Sequence, residues 1–233
     1  MTRAHEIADG LTQVRERIDA ARLASRRADE VLLVVVTKTF PASDIAILAD
    51  LGVSDIAENR DQEARAKRAE LGATGDRLRW HMIGQVQRNK AGSVARWADV
   101  VESVDRPELV DALARGAHAA GRTLEALVQV GLDPVHRPER GGVAPGQAAA
   151  LADLVAQSAG LRLGGVMGVA PHPGDPDAAF ALLERTWQGI RHAHPLAEAM
   201  SAGMSDDLEA AIAHGATQVR IGGAVLGHRA YVQ

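Results

Sequence analysis

The stretch VLLVVVT, Val31 to Thr37, is six consecutive aliphatic residues and a threonine, closed by Lys38. So short a run with no polar alternation fits a strand covered on both faces, as in a parallel sheet whose crossovers are helices. Upstream, Ile7, Leu11, Val14 and Ile18 fall at helical spacing and predict a long amphipathic helix ending near Arg27. Downstream, Pro41, Ser43 and Asp44 open a helix over 45–51, which Gly52 ends.

The same rhythm repeats to the end of the chain. Strands are expected over 53–57, 78–83, 99–104, 124–130, 161–169, 196–201 and 217–221. Helices are expected over 60–71, after Gln85, from Pro107, over 145–159, after the Pro/Gly loop at 171–176, over 205–214, and from Gly223. Pro134, Pro138, Gly141 and Gly142 mark a loop before the helix at 145. About eight βα units without a linker predict an α/β protein: one (β/α)8 TIM barrel spanning residues 1–233, with an extra N-terminal helix. The alternative is an open sheet, because the second and seventh strands are the weakest of the set.

Composition narrows the class. Hydrophobic residues make up 46% and charged residues 24% of 233, which excludes a disordered chain. A net charge of -4 gives no nucleic-acid footprint. No apolar run reaches the roughly 20 residues of a membrane span, and the charged N-terminus has no apolar signal core, so a cytoplasmic protein is expected. The absence of cysteine rules out disulfides, thiolate metal sites and a cysteine nucleophile. Aromatics at 3% leave the core to Ala, Val, Leu and Ile and supply no stacking platform for single strands.

In a barrel, chemistry sits at the carboxyl ends of the strands. Lys38 stands there, and burial would favour its neutral amine, a nucleophile toward aldehydes. The competing reading is a lysine that snorkels into a polar loop or pairs with Glu58. Only two other lysines exist: Lys67, expected on a solvated helix, and Lys90, at a helix start beyond the third strand. Arg220 to Gly227, RIGGAVLG, is a strand end, a Gly222-Gly223 pair and a helix start, an arrangement that lets backbone N–H groups approach a phosphate. The neighbouring loop MSAGMSDD adds the hydroxyls of Ser201 and Ser205, while Asp206 and Asp207 are expected to cap a helix. His81 is read as a core histidine satisfied by hydrogen bonds, although it stands near the barrel rim. No HExxH, GxSxG or Walker-type loop is present, and no metal site is expected.

A strand-end lysine with a phosphate cradle across the rim suggests pyridoxal phosphate. Several segments also resemble the pyridoxal phosphate homeostasis protein family, single-domain relatives of the alanine racemase barrel: VVVTKTFP, AENRDQEARAK, WHMIGQVQRNK, GVMGV and SAGMSDDLEAAIAHGATQVRIGGAVLGHR, together spanning about Leu32 to Arg229. The resemblance implies that Lys38 holds pyridoxal 5'-phosphate as a Schiff base and that Asn59 lies near the ring. It also implies that Arg220 faces the pyridine nitrogen, with Ser201, Ser205, Gly222 and position 223 on the phosphate. The chain departs from the family pattern at Ala57 (glycine), Gly223 (threonine), Leu226 (phenylalanine) and through 129–143. Gly223 removes one hydroxyl contact to phosphate.

An arginine against the pyridine nitrogen disfavours its protonation and weakens the ring as an electron sink. Racemisation also needs a second acid or base on the opposite face. The one tyrosine, Tyr231, is the third residue from the end of the sequence, and no second domain is expected. The expectation is therefore a cofactor-homeostasis protein with no catalytic residues and no robust turnover, handing its cofactor to apo pyridoxal phosphate enzymes. A pyridoxal-phosphate-dependent amino-acid racemase is the alternative. A cofactor-free phosphosugar barrel enzyme is a third class, which predicts a colourless protein.

Overall fold

The computed structural model describes residues 2–133 and 141–227. Eight strands alternate with helices: β1 (Leu32–Val36), β2 (Asp55–Glu58), β3 (Arg79–Met82), β4 (Val100–Val104), β5 (Leu124–Val130), β6 (Leu161–Gly168), β7 (Ala199–Ser201) and β8 (Gln218–Ile221). They form a closed parallel barrel in chain order. Closure comes from β8 lying beside β1, Leu32 against Gln218 through Val35 against Ile221, which eliminates the open sheet. The two weakest strands are real but short, four residues in β2 and three in β7.

The helices are α1 (Arg3–Ala24), α2 (Ala42–Asp50), α3 (Asp61–Leu71), α4 (Ala73–Asp76), α5 (Ala91–Val94), α6 (Pro107–Ala119), α7 (Ala148–Gln157), α8 (Pro176–Ala193), α9 (Leu208–Ala213) and α10 (Gly223–Leu226). Three differ from expectation. Nothing in the sequence reading anticipated α4. The helix after Gln85 is a 3-10 turn, Arg88–Lys90, running into the four-residue α5. The helix expected over 205–214 begins only at Leu208, because the Asp207 carboxylate turns back to accept the Met204 N–H at 2.6 Å and holds 204–207 as a turn. Pro134 and Pro138 lie outside the described residues.

Strand alternation sorts the core. Val35 and Ile56 belong to the sheath of apolar side chains beneath the helices, so Val34, Val36 and Ala57 face the barrel interior, where they form a separate small cluster. The first helix is a bracket. Its stripe of Ile7, Leu11, Val14 and Ile18 is buried, and it packs on α2, α9 and α10. Gly10 allows the approach, since a Cβ there would lie 2.5 Å from the Val225 carbonyl. Arg3 then donates to Asp44 in α2 (2.6 Å) and to the Leu226 carbonyl at the end of α10 (2.9 Å), joining the first βα unit to the last. Among the described residues no helix is long and apolar enough to cross a membrane.

Candidate cofactor site at the carboxyl rim

Closure makes β7, β8, β1 and β2 neighbours, and all seven candidate residues lie on that one arc. Ser201 ends β7, and Ser205 follows in the next loop. Arg220 is in β8, with Gly222 and Gly223 after it, Lys38 follows β1, and Asn59 follows β2. Lys90 is elsewhere, exposed after β3.

Lys38 is exposed. The expectation that burial favours its neutral amine is therefore corrected: the strand ends at Val36, and Lys38 occupies a turn closed by the Phe40 N–H on the Thr37 carbonyl at 3.1 Å. The next residue, Thr39, has φ +68°, a left-handed conformation that a β-branched residue adopts only under constraint. Nor does Lys38 pair with Glu58. That partner is taken by Lys67, which is buried rather than solvated. The Lys67 ammonium donates to the Thr37 carbonyl (2.8 Å), Glu58 Oε1 (2.7 Å) and Glu63 Oε1 (2.6 Å). Thr37 Oγ donates to Glu58 Oε1 at 2.6 Å, and Glu63 Oε1 accepts the Thr39 N–H at 2.5 Å. Burial pushes the Glu58 carboxyl above its usual range, against the pull of Lys67 and Thr37. Glu63, less buried, is held below its usual range by Lys67.

A second ionic assembly fills the barrel interior, where a TIM barrel ordinarily stacks branched apolar residues. His81 is buried, with Nε2 3.0 Å from Asp55 and Nδ1 2.6 Å from Glu102. Burial opposes its charge, but the hydrogen bonds to Asp55 and Glu102 and their negative charges outweigh burial and raise it to about 9. Glu102 accepts from Gln218 as well (3.2 Å), and its other oxygen accepts from Ser201. Arg220 donates to Ser201 Oγ and to the Gly168 carbonyl (2.9 Å), with its guanidinium 3.7 Å from Glu102. Toward the amino face, Asp55 lies 3.9 Å from Arg79, and Arg79 and Arg162 share Glu125. Positive and negative charges thus alternate from Arg162 to Arg220. His81 is the satisfied core histidine expected, set below the rim.

This arrangement engages the Ser201 hydroxyl, which donates to Glu102 and accepts from Arg220. Ser205 is half-buried, and its carbonyl accepts from Arg17 of α1 at 2.9 Å. Gly203 shapes that loop: φ is +93°, and a Cβ would meet Ala211 Cβ at 2.7 Å. Gly222 packs its Cα against β1, where a Cβ would lie 3.1 Å from the Val36 carbonyl. The first N–H groups of the α10 turn have no acceptor within their own helix. Two buried acceptors at the end of β2, Glu58 Oε2 and Asn59 Oδ1, have no hydrogen-bond partner among the described residues. An unpaired amide oxygen at the end of the strand paired with the one that precedes Lys38 suits a polar ring ligand. A cleft of about 400 Å³ continues the rim past β5 and β6, lined by Gln129, Gly131, Val169, Ala170 and Met204. No cluster of metal-ligating side chains occurs among the described residues.

Sequence reasoning missed Lys67, Glu63, Asp55, Glu102 and Gln218 as site-supporting residues. Two had a signal. Lys67 is at helical spacing from Ala64 and Leu71, the packed stripe of α3, and four residues after Glu63. Glu102 is a carboxylate in the middle of the otherwise buried strand VVESV.

The closed barrel with a rim lysine and an arginine below it defines the class: residues 11–230 match the family model of the alanine racemase N-terminal domain. A pyridoxal phosphate homeostasis protein of Mycobacterium tuberculosis (strain H37Rv) is 44% identical over 97% of this chain and 94% of its own length. The chain belongs to the pyridoxal phosphate homeostasis protein family. Among solved structures, an unknown protein from Bifidobacterium adolescentis superposes with a TM-score of 0.89 at 33% identity, covering 96% of this chain and 95% of that one. PipY of Synechococcus elongatus, in a structure with PLP bound, gives 0.81 at 31% identity, covering 95% and 100%.

Proposed function

We propose that the whole chain, 1–233, is one pyridoxal 5'-phosphate-binding domain acting in cytoplasmic homeostasis of the cofactor and of amino and keto acids. Lys38 holds the cofactor as a Schiff base. Asn59 lies beside the ring, Arg220 faces the pyridine nitrogen, and Ser205, Gly222 and Gly223 hold the phosphate. Ser201 contributes through the guanidinium it steadies. The observation that carries this reading is the position of the lysines: Lys67 spends all three donors internally, Lys90 is off the arc, and Lys38 is exposed on it. Membership of the family and the PLP-bound relative support it.

Bound there, the cofactor supplies an aldehyde for covalent attachment and a ring able to accept electrons. The chain's own residues restrain that chemistry. Arg220, fixed by Ser201 and Gly168, presents positive charge that disfavours a proton on a facing nitrogen. The imidazole of His81 has both nitrogens engaged beneath the rim and is not free to move a substrate proton. Tyr231 lies outside the described residues. The protein therefore holds the cofactor without robust turnover and passes it to apo enzymes. It needs no nucleic acid or membrane partner.

Borohydride reduction followed by peptide mapping tests the attachment, with the adduct expected on Lys38 and absent from Lys38→Ala. Single-enantiomer amino acids in deuterated water test the chemistry. Rapid α-deuterium uptake with loss of optical purity, abolished in Lys38→Ala, would replace this reading with the racemase.

A further inference from the structure

Lys67 ties down both sides of Lys38. Its ammonium holds the Thr37 carbonyl directly, and through Glu63 it holds the Thr39 N–H. Through Glu58 it also fixes the Thr37 hydroxyl. The residues flanking Lys38 on either side are therefore secured by one buried cation and two carboxylates, and the left-handed Thr39 persists inside that grip. A lysine with four rotatable side-chain bonds reaches a fixed point reproducibly only if its backbone does not move.

We propose that Lys67 is the positioning residue of Lys38: it fixes the turn so that the Lys38 amine meets an aldehyde bound at the rim. This rests on Lys38 being the attachment point. In that step the Lys38 nitrogen bonds the aldehyde carbon, and C=N replaces C=O. The carbonyl oxygen leaves as water with two protons from the amine. Lys67 touches none of these atoms. Its effect is confined to where the nitrogen starts.

The test measures two quantities on apoprotein. One is the rate of covalent attachment of pyridoxal 5'-phosphate, followed by absorbance. The other is the affinity for pyridoxine 5'-phosphate, which has the ring and phosphate but no aldehyde. Lys67→Met is expected to slow attachment by about tenfold or more while changing affinity for the aldehyde-free probe less than about twofold, with Lys67→Arg recovering most of the rate. Should Lys67→Met not fold, Glu63→Gln, on the half-exposed side of the clamp, is expected to slow attachment about threefold with the probe unaffected.

Attachment at the unaltered rate in Lys67→Met, or in Glu63→Gln should Lys67→Met not fold, overturns the inference. So does a loss of attachment matched by an equal loss of probe affinity, because that marks general damage to the rim. If the unaltered protein forms no adduct on Lys38, the proposed function falls and this inference with it. A normal adduct in the unaltered protein with an unchanged Lys67→Met rate removes this inference alone.

Discussion

Lys67 and His81 are both buried cations between two carboxylates, yet they do different work. Lys67 lies between α3 and the turn after β1, its partners fall within residues 37–67, and it holds backbone: a carbonyl directly and an N–H through Glu63. His81 lies inside the barrel, its network joins β2, β3, β4, β7 and β8, and its effect ends on a side chain, the guanidinium of Arg220. The local clamp sets where one amine sits. The long-range column sets one arginine and also fastens five strands. Damage to the first should therefore be felt at the rim and damage to the second throughout the fold.

Glu102→Ala is the harshest test of that contrast. It strands His81 and Arg220 without their shared counter-charge, and removing one partner of a buried ionic network costs about 3–5 kcal/mol. Urea unfolding should show the loss in full. A change below about 1 kcal/mol, the size of an exposed pair, would mean that the column bears no weight.

Next is pH. His81 moves from 6.5 to about 9 on folding, so its contribution is complete below pH 6.5 and is lost as pH rises toward 9. Stability should fall across that window by on the order of 3 kcal/mol, and His81→Gln should remove most of the slope. An identical alkaline fall in His81→Gln would assign it to other groups.

Lys67→Met should cost less, about 2–3 kcal/mol, because the Glu63 side chain is 24% exposed and can turn to water, while Glu58, which burial already pushes toward its neutral form, keeps the Thr37 hydroxyl. Thermal unfolding that ranked it above Glu102→Ala would invert the comparison. Glu63→Gln is the mildest at about 1 kcal/mol, since the amide oxygen still accepts from Thr39. A loss as large as that of Lys67→Met would show that Glu63, and not the lysine, is the centre of the clamp.

The barrel was legible because parallel strands buried on both faces announce themselves as apolar runs: β5 matches its expected bounds of 124–130, and β1 lies within 31–37. Helix limits were less legible: α4 was not anticipated, the helix after Gln85 shrinks to a 3-10 turn and the four-residue α5, and α9 starts three residues late because the Asp207 carboxylate accepts the Met204 N–H, a contact that leaves no periodic trace. At the site, strand ends were enough to place the candidates on one arc. What failed was the inference from burial. Lys38 follows a buried strand but sits in an exposed turn, whereas Lys67, in the charged run RAKRAE, is the lysine that is buried. A charged sequence neighbourhood says little about one residue when Ala64 and Leu71 mark its face of the helix. The contents of the barrel were hidden for another reason. Asp55, His81, Glu102 and Gln218 come together only when the sheet closes, and no spacing along the chain encodes that meeting.

The bracket formed by α1 has a consequence during synthesis. The first helix leaves the ribosome with Ile7, Leu11, Val14 and Ile18 on one side, but α9 and α10, which cover much of that stripe, are some 190 residues behind. At about 5–20 residues per second the wait is on the order of 10–40 s. Throughout it the nascent chain carries an apolar helix stripe without its main cover, and parallel strands slow to pair for the same topological reason. The newborn protein is therefore prone to aggregation until α9 and α10 have emerged. The arrival of Val225 and Leu226 brings α10 onto α1 and ends that exposure.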